Sequence, residues 1–99
     1  MHFGIAHAPE FKNNKWHVIG RCVNNVHLGK QFTKIVPRAQ IGGKITHMSS
    51  IAATLTVEKI IAYGHELQTL DSGLTALLIL SGDGSLITDY CTLQGPESK

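Results

Sequence analysis

The most apolar stretch of this chain, "DSGLTALLILSGDG" at residues 71–84, contains a glycine on each side of its apolar run. That run, residues 74–80, is broken only by Thr75 and falls far short of the ~18 residues that a membrane helix needs. A capped globular helix is also longer, whereas one β-strand of ~5–7 residues fits between Gly73 and Gly82. The stretch therefore predicts a single strand, bounded by glycine turns.

Both faces of this predicted strand are apolar, although a strand with one solvated face would alternate apolar and polar residues. We expect the face of Leu77 and Ile79 to fill a barrel interior. The opposite face then needs cover from a loop, from a protein partner or from a second copy of the chain. The sequence thus predicts an apolar strand face as a contact surface.

Several other segments have the period-two alternation and the β-branched content of strands. They are "HFGIAHA", "WHVIGRCV" and residues 32–36, 54–61 and 85–93, and turns are predicted at "PEFKNNKW", Gly29 and Gly64. With the apolar stretch, these segments predict an all-β chain. The architecture expected is a small closed or partly open antiparallel β-barrel of about six strands. Residues 1–99 form one domain in this prediction, with a frayed tail at 93–99.

The pattern fades between Val36 and Ala53, and a connection of that length is often functional in a compact domain. A short hairpin with Ile45 in one arm is one interpretation, and a helix from Ser49 or Ser50 towards Tyr63 is another. The β-branched segments "TLTV" and "KII" favour a strand over that helix. A basic loop around Gly42-Gly43 would neutralise phosphates or contact a protein, while a solvated connector is the competing interpretation. The predicted binding residues are Arg38, Gln40, Lys44 and His47.

The formal net charge of +2 does not by itself indicate nucleic-acid binding. The bases are concentrated in one half, since residues 1–57 carry seven Lys and Arg and one acid, whereas residues 58–99 carry two bases and six acids. One interpretation is a basic surface. The other is a barrel that interleaves its two halves and mixes their charges.

The N-terminal residues "MHFGIAHAPEF" have neither the basic region nor the apolar region of a signal peptide. Cys22 and Cys91 are the only cysteines, and without an export signal we expect them to be reduced thiols, with a disulfide between them as the alternative. The expected location is the cytoplasm, with no membrane association.

The sequence contains no signature of catalysis, of a metal site or of a cofactor site. His7, His17 and His27 would approach one another if the first strands pair, but the close H-x-x-x-H or C-x-x-C spacing of zinc sites is lacking. A cysteine nucleophile is the other alternative, although no oxyanion-type loop flanks either cysteine. Gly43-Lys44 lacks the remaining residues of a phosphate-binding loop. We therefore predict no enzyme activity, metal, nucleotide or other cofactor.

Two segments together show a wider pattern, "HVIGRCVNNVHLGKQFTKI" and "LTVEKIIAYGHELQTLDSGLTALLILSGDG". In the first, a strand with Val18 and Val23 precedes the turn at Gly29, and in the second a strand ending in Gly82 follows Ser72-Gly73. This order resembles the second-domain β-barrel of translation-factor GTPases of the elongation-factor-Tu type, over roughly residues 3–93. The GTPase domain is absent, and Leu74 replaces the family's usual acid. The resemblance implies a barrel and transfers no functional residues.

These observations predict a non-enzymatic protein-binding or assembly module. Its contacts would come from residues 36–53 and from the apolar strand face, and the partner is another protein or a second copy of the chain. The alternative is an RNA- or ribonucleoprotein-binding module, which the resemblance and the basic first half favour.

Overall fold

The computed structural model describes residues 1–7, 9–41, 44–47, 50–87 and 91–96, and only the backbone of 38–41 and 44–47. Every regular element among them is a β-strand, so the prediction of an all-β chain is confirmed. The strands are β1 His2–Ile5, β2 Glu10–Lys12, β3 Lys15–Asn24, β4 Val26–His27, β5 Gln31–Val36, β6 Arg38–Ile41, β7 Lys44–His47, β8 Ile51–Ala62, β9 His65–Leu67, β10 Thr69–Leu70, β11 Thr75–Gly82 and β12 Thr92–Gln94. The alternative of a helix towards Tyr63 is wrong, because β8 is extended throughout. The described part of the chain holds no helix long and apolar enough to cross a membrane.

Six of the strands pair edge to edge in a ring. Their antiparallel order is β1–β12–β5–β8–β11–β3, and β3 pairs back with β1. Outside the ring, β2 pairs with β3 and β9 pairs with β8, while β4–β10 and β6–β7 are separate two-stranded ribbons. The chain is therefore a small, partly open antiparallel β-barrel of about six strands, as the sequence predicted.

The inside of the ring is one apolar core, to which alternate residues of each strand contribute. On β11 the inward residues are Ala76, Leu78 and Leu80, all of them buried. The register explains this, because Leu78 lies opposite the fully buried Val18 and Ile60. The expectation that Leu77 and Ile79 fill the interior is therefore wrong, since those two residues belong to the outer side of the same strand.

The turn predicted within "PEFKNNKW" is present at Asn13 and Asn14, which join β2 to β3. Their φ values of 54° and 60° are left-handed, a conformation that asparagine tolerates and that two-residue hairpin turns require. The segment before the turn was not predicted as a strand. It forms β2 because it pairs with the start of β3.

The C-terminal part of the chain differs from the prediction. Ser85 lies in a turn, where its backbone N–H and its hydroxyl donate to Asp83 Oδ1 at 3.3 and 2.7 Å. The described strand in this part is β12, Thr92–Gln94, and residues 88–90 of the predicted strand lie outside the described residues. Within the tail predicted to fray, Leu93 is fully buried and the Gly95 N–H donates to the Met1 carbonyl at 2.9 Å. Residues 97–99 lie outside the described residues.

Candidate protein-binding face

The outer side of β3, β8 and β11 carries a row of aliphatic side chains. Leu77 of β11 lies directly opposite Ile19 of β3 on one edge and opposite Ile61 of β8 on the other. Directly opposite residues of antiparallel strands project to the same side of the sheet, so the three form one continuous row. Ile79 lies two residues further along β11 on that side. We call Ile19, Ile61, Leu77 and Ile79 the outer apolar face.

These four side chains are only partly covered. Ile19 is 44% exposed, and the other three are half-buried. Single exposed aliphatic residues are normal on protein surfaces, whereas contiguous ones typically mark a contact surface. The outer apolar face is contiguous across three neighbouring strands, and it is therefore the strongest candidate site on the described surface.

A groove of about 300 Å³ lies at the edge of this face, next to β2. Two of its lining residues, Ile19 and Leu77, belong to the outer apolar face, and the others are polar or charged: His7, Glu10, Lys12 and His17. A concavity of this size can receive an anchoring side chain of a partner, and such pocketed anchors supply much of the affinity of protein interfaces.

Three ion pairs flank the outer apolar face. They are Glu10–Lys12 at 3.4 Å, Lys15–Glu58 at 3.7 Å and Lys59–Glu66 at 3.4 Å. All are substantially exposed, so each contributes little to the free energy of unfolding. An apolar centre within a charged, solvent-accessible rim is the usual anatomy of a protein interface.

Glu58 in this rim has both a hydrogen bond and an ion pair. The Ser81 hydroxyl donates to Glu58 Oε1 at 2.6 Å, and this hydrogen bond, with the nearby Lys15 ammonium, lowers the pKa of Glu58. Ser81 lies on β11, between the strands that carry Lys15 and Glu58. The rim therefore keeps a positioned negative charge beside the end of β11 at neutral pH.

The four binding residues predicted from the sequence lie in the β6–β7 hairpin. The predicted 36–53 loop is thus largely strand, and the interpretation of a short hairpin with Ile45 in one arm is confirmed. Arg38 pairs with His47 and Gln40 pairs with Ile45, so positions 38, 40 and 47 share one side of this ribbon. Lys44 pairs with Ile41, which puts position 44 on the other side. The predicted pair Gly42-Gly43 falls outside the described residues.

The histidines considered for zinc do not form one cluster. His7 and His17 line the groove, whereas His27 of β4 contacts Thr69 Oγ1 through Nδ1 at 3.3 Å. Among the described residues, no group of three or more His, Cys, Asp or Glu side chains could hold a metal ion.

Neither cysteine is placed to act as a nucleophile. Cys22 and Cys91 are buried, and no disulfide joins them. Burial raises the pKa of the Cys22 thiol, and its Sγ donates to the carbonyls of Leu70 and Asn24 at 3.3 and 3.2 Å. A buried thiol with a raised pKa carries little of the thiolate that nucleophilic catalysis needs.

Two residues of the outer apolar face, Ile19 and Ile61, were not singled out in the sequence. The available signal was the alternation on β3, where Val18 and Cys22 are buried and Ile19 falls between the outward positions of His17 and Arg21. A large aliphatic residue at an outward position of an alternating strand indicates a contact surface, but only once the neighbouring strands are known.

Comparisons of the chain with protein-family models, with curated proteins and with solved structures give no match. The resemblance to the second-domain barrel of translation-factor GTPases therefore stays a prediction from the residues quoted above.

Proposed function

We propose that this protein is a non-enzymatic protein-binding or assembly module that docks its partner on the outer apolar face. The observation that carries the proposal is the row Ile61–Leu77–Ile19, which runs across three strands outside an interior that other side chains already fill. Covering apolar surface is favourable by roughly 25 cal/mol per Å², so an exposed row of this kind is a source of binding free energy.

The β6–β7 hairpin is the second contact element of this proposal. It pairs Arg38 with His47 in a ribbon separate from the main sheet, and a single residue, Pro37, separates it from the end of β5. Its polar residues would give specificity, while the apolar face gives affinity. We place the module in the cytoplasm, because two buried thiols suit a reducing compartment.

A binding assay with matched variants tests this proposal. Leu77→Glu introduces a charge at the centre of the face. Val23→Glu makes the same kind of change at a side chain that is 54% exposed near the end of β3, ~13 Å along the strand from Ile19. Both variants are first compared with the wild type in thermal unfolding, so that a loss of binding is not a loss of fold.

Partners captured from host lysate are identified, purified and titrated against each variant, with Arg38→Ala/Lys44→Ala included for the hairpin. We expect saturable binding that Leu77→Glu weakens by about tenfold or more and that Val23→Glu leaves unchanged. Binding that tolerates Leu77→Glu, or that both variants weaken equally, would show that the outer apolar face is not the docking surface.

A second candidate function, contact with RNA or a ribonucleoprotein, is favoured by the opposite side of the barrel. No acidic residue occurs between Glu10 and Glu58, and Lys34 of β5 is exposed. Lys34 lies opposite Gln94 of β12, which lies opposite His2 of β1. These three residues make a polar row, and β12 is across the ring from β11.

Titration of single-stranded RNA at several salt concentrations tests this second candidate. If lysines neutralise phosphates, the logarithm of the affinity falls linearly with the logarithm of the salt concentration. Lys30→Ala/Lys34→Ala should make that slope shallower, and Leu77→Glu should not. If RNA does not bind at low salt, or if its affinity does not depend on the salt concentration, RNA contact is excluded as a function.

A further inference from the structure

We infer that the partner on the outer apolar face is a second copy of this chain, packed face to face about a two-fold axis that runs along β11. The inference rests on the proposed function, because it takes the same surface as the docking site. It adds the identity of the occupant and the relative orientation of the two copies.

The order of the strands makes this face suited to two-fold pairing. In the main sheet β8 and β3 pair with the two edges of β11, so β11 is the middle strand of the face. An axis that lies in the interface parallel to β11 places β3 of one copy over β8 of the other. Leu77 then packs on Leu77 of the second copy, and Ile19 packs on Ile61. The same surface is used twice, and the contact closes as a dimer.

The charges around the face have opposite sign on its two sides. The β8–β9 side carries Glu58 and Glu66 against one base, Lys59, and therefore has an excess of one acid. The β2–β3 side carries Lys12 and Lys15 against one acid, Glu10, and Arg21 lies further along β3. The two-fold rotation puts the acidic side of one copy over the basic side of the other. The face is thus complementary to itself in charge.

The residues nearest the proposed axis strengthen this complementarity. Lys15 and Glu58 meet at 3.7 Å beside Ser81 of β11. Two copies bring two lysines and two glutamates together around the axis, with Lys15 of each copy over Glu58 of the other. A strongly acidic or strongly basic partner would be repelled by one side of this rim, because the rim has an acidic side and a basic side.

The size of the face sets the expected strength of the contact. Neighbouring strands are ~4.8 Å apart, and alternate residues along a strand are ~6.8 Å apart. The three strands β8, β11 and β3 and three rows of residues therefore span an area on the order of 15 Å by 20 Å in each copy. The two copies together bury roughly 600 Å², which is below the range of most stable complexes. The dimer should therefore form and dissociate with concentration.

Sedimentation equilibrium of the full chain, from about 1 μM to about 1 mM, measures this directly. We expect the average mass of the wild type to rise from that of one chain towards that of two. Leu77→Glu should stay monomeric over the whole range, while Val23→Glu should follow the wild type. A wild type that is monomeric at all concentrations, or a dimer that persists in Leu77→Glu, overturns the inference.

Charge reversal tests the orientation. Lys15→Glu leaves only acidic groups at the axis and Glu58→Lys leaves only basic ones, so each variant alone should be monomeric. In a 1:1 mixture, the two acidic side chains of one chain face the two basic side chains of the other, and dimers should reappear. A mixture that stays monomeric while the wild type dimerises overturns the proposed axis.

The same variants separate this inference from the proposed function. If the wild type is monomeric but Leu77→Glu still abolishes binding of a purified foreign partner, the outer apolar face is a binding face and a second copy is not its occupant. If neither self-association nor a Leu77-dependent partner is found, both the inference and the proposed function fail.

Discussion

Gly20 of β3 lies against the backbone carbonyl of Gly4 in β1, at the place where these two strands close the ring. A Cβ atom at position 20 would overlap that carbonyl group and would lie 2.8 Å from the ring of Phe3. The carbonyl belongs to the paired backbone and cannot rotate away as a flexible side chain would. Closure between β1 and β3 therefore requires glycine at position 20.

Gly20→Ala should lower the free energy of unfolding by about 2–3 kcal/mol, because the ring must open locally to admit the methyl group. Gly29→Ala is the control, since a Cβ there meets nothing within 4 Å and only its φ of 81° is unfavourable. That strain costs roughly 1 kcal/mol. Urea unfolding followed by circular dichroism gives both values, and equal losses would contradict the role assigned to Gly20.

Leu77 and Leu78 are neighbours in the chain and lie on opposite sides of β11, so they make a matched pair. Leu78→Ala should cost about 2–5 kcal/mol of unfolding free energy, because Leu78 is fully buried in the core. Leu77→Ala should cost about 1 kcal/mol or less at concentrations where the chain is monomeric, because its side chain is only half-buried. A larger loss of unfolding free energy for Leu77→Ala than for Leu78→Ala would show that Leu77, and not Leu78, faces the core.

The hydrogen bond from Ser81 predicts a low pKa for Glu58. Because the folded-state pKa lies below the unfolded value, the stabilisation is present above the ordinary pKa of glutamate, ~4.3. It is lost as the pH falls through the folded-state pKa. Titration of Glu58 by carbon-detected NMR should give a midpoint below the ordinary one, and Ser81→Ala should raise it. A midpoint that Ser81→Ala does not move would assign the shift to Lys15 alone.

The two cysteines should be unreactive in the folded chain. Cys22 and Cys91 are 1% and 0% exposed, and burial raises the pKa of Cys22, so thiolate is scarce and access is blocked. Alkylation counted by mass spectrometry should show neither thiol modified in buffer and both modified in concentrated urea. Rapid modification of Cys22 in the native protein would contradict the packing of β3 against β1 and β10.

The turns and most strands could be predicted from sequence because their causes are local. Asn13-Asn14 tolerates left-handed backbone, and the β-branched residues of β8 disfavour the helix that its spacing would allow. The C-terminal part was less predictable. The segment from Ser85 alternates like a strand, yet Ser85 is held in a turn by Asp83, a hydrogen bond that competes with strand pairing.

The candidate site was predictable only in part. An apolar contact face on β11 follows from the composition of residues 74–80, but the choice of Leu77 over Leu78 as the outward residue does not. A shift of one residue in register exchanges the two sides of a strand. That register is set by the pairing of β11 with β3 and β8, strands that lie far from it in the chain.

The amino-acid sequence by itself determined the class of this protein, because alternation, β-branching and turn residues act on each segment independently of its distant neighbours. The tertiary structure alone decided which aliphatic side chains remain outside. Ile19, Leu77 and Ile61 are separated in the chain and become one surface only when β3, β11 and β8 align side by side. The physical reason is that hydrogen-bond register between strands is a long-range property, and it assigns each side chain to the core or to the solvent.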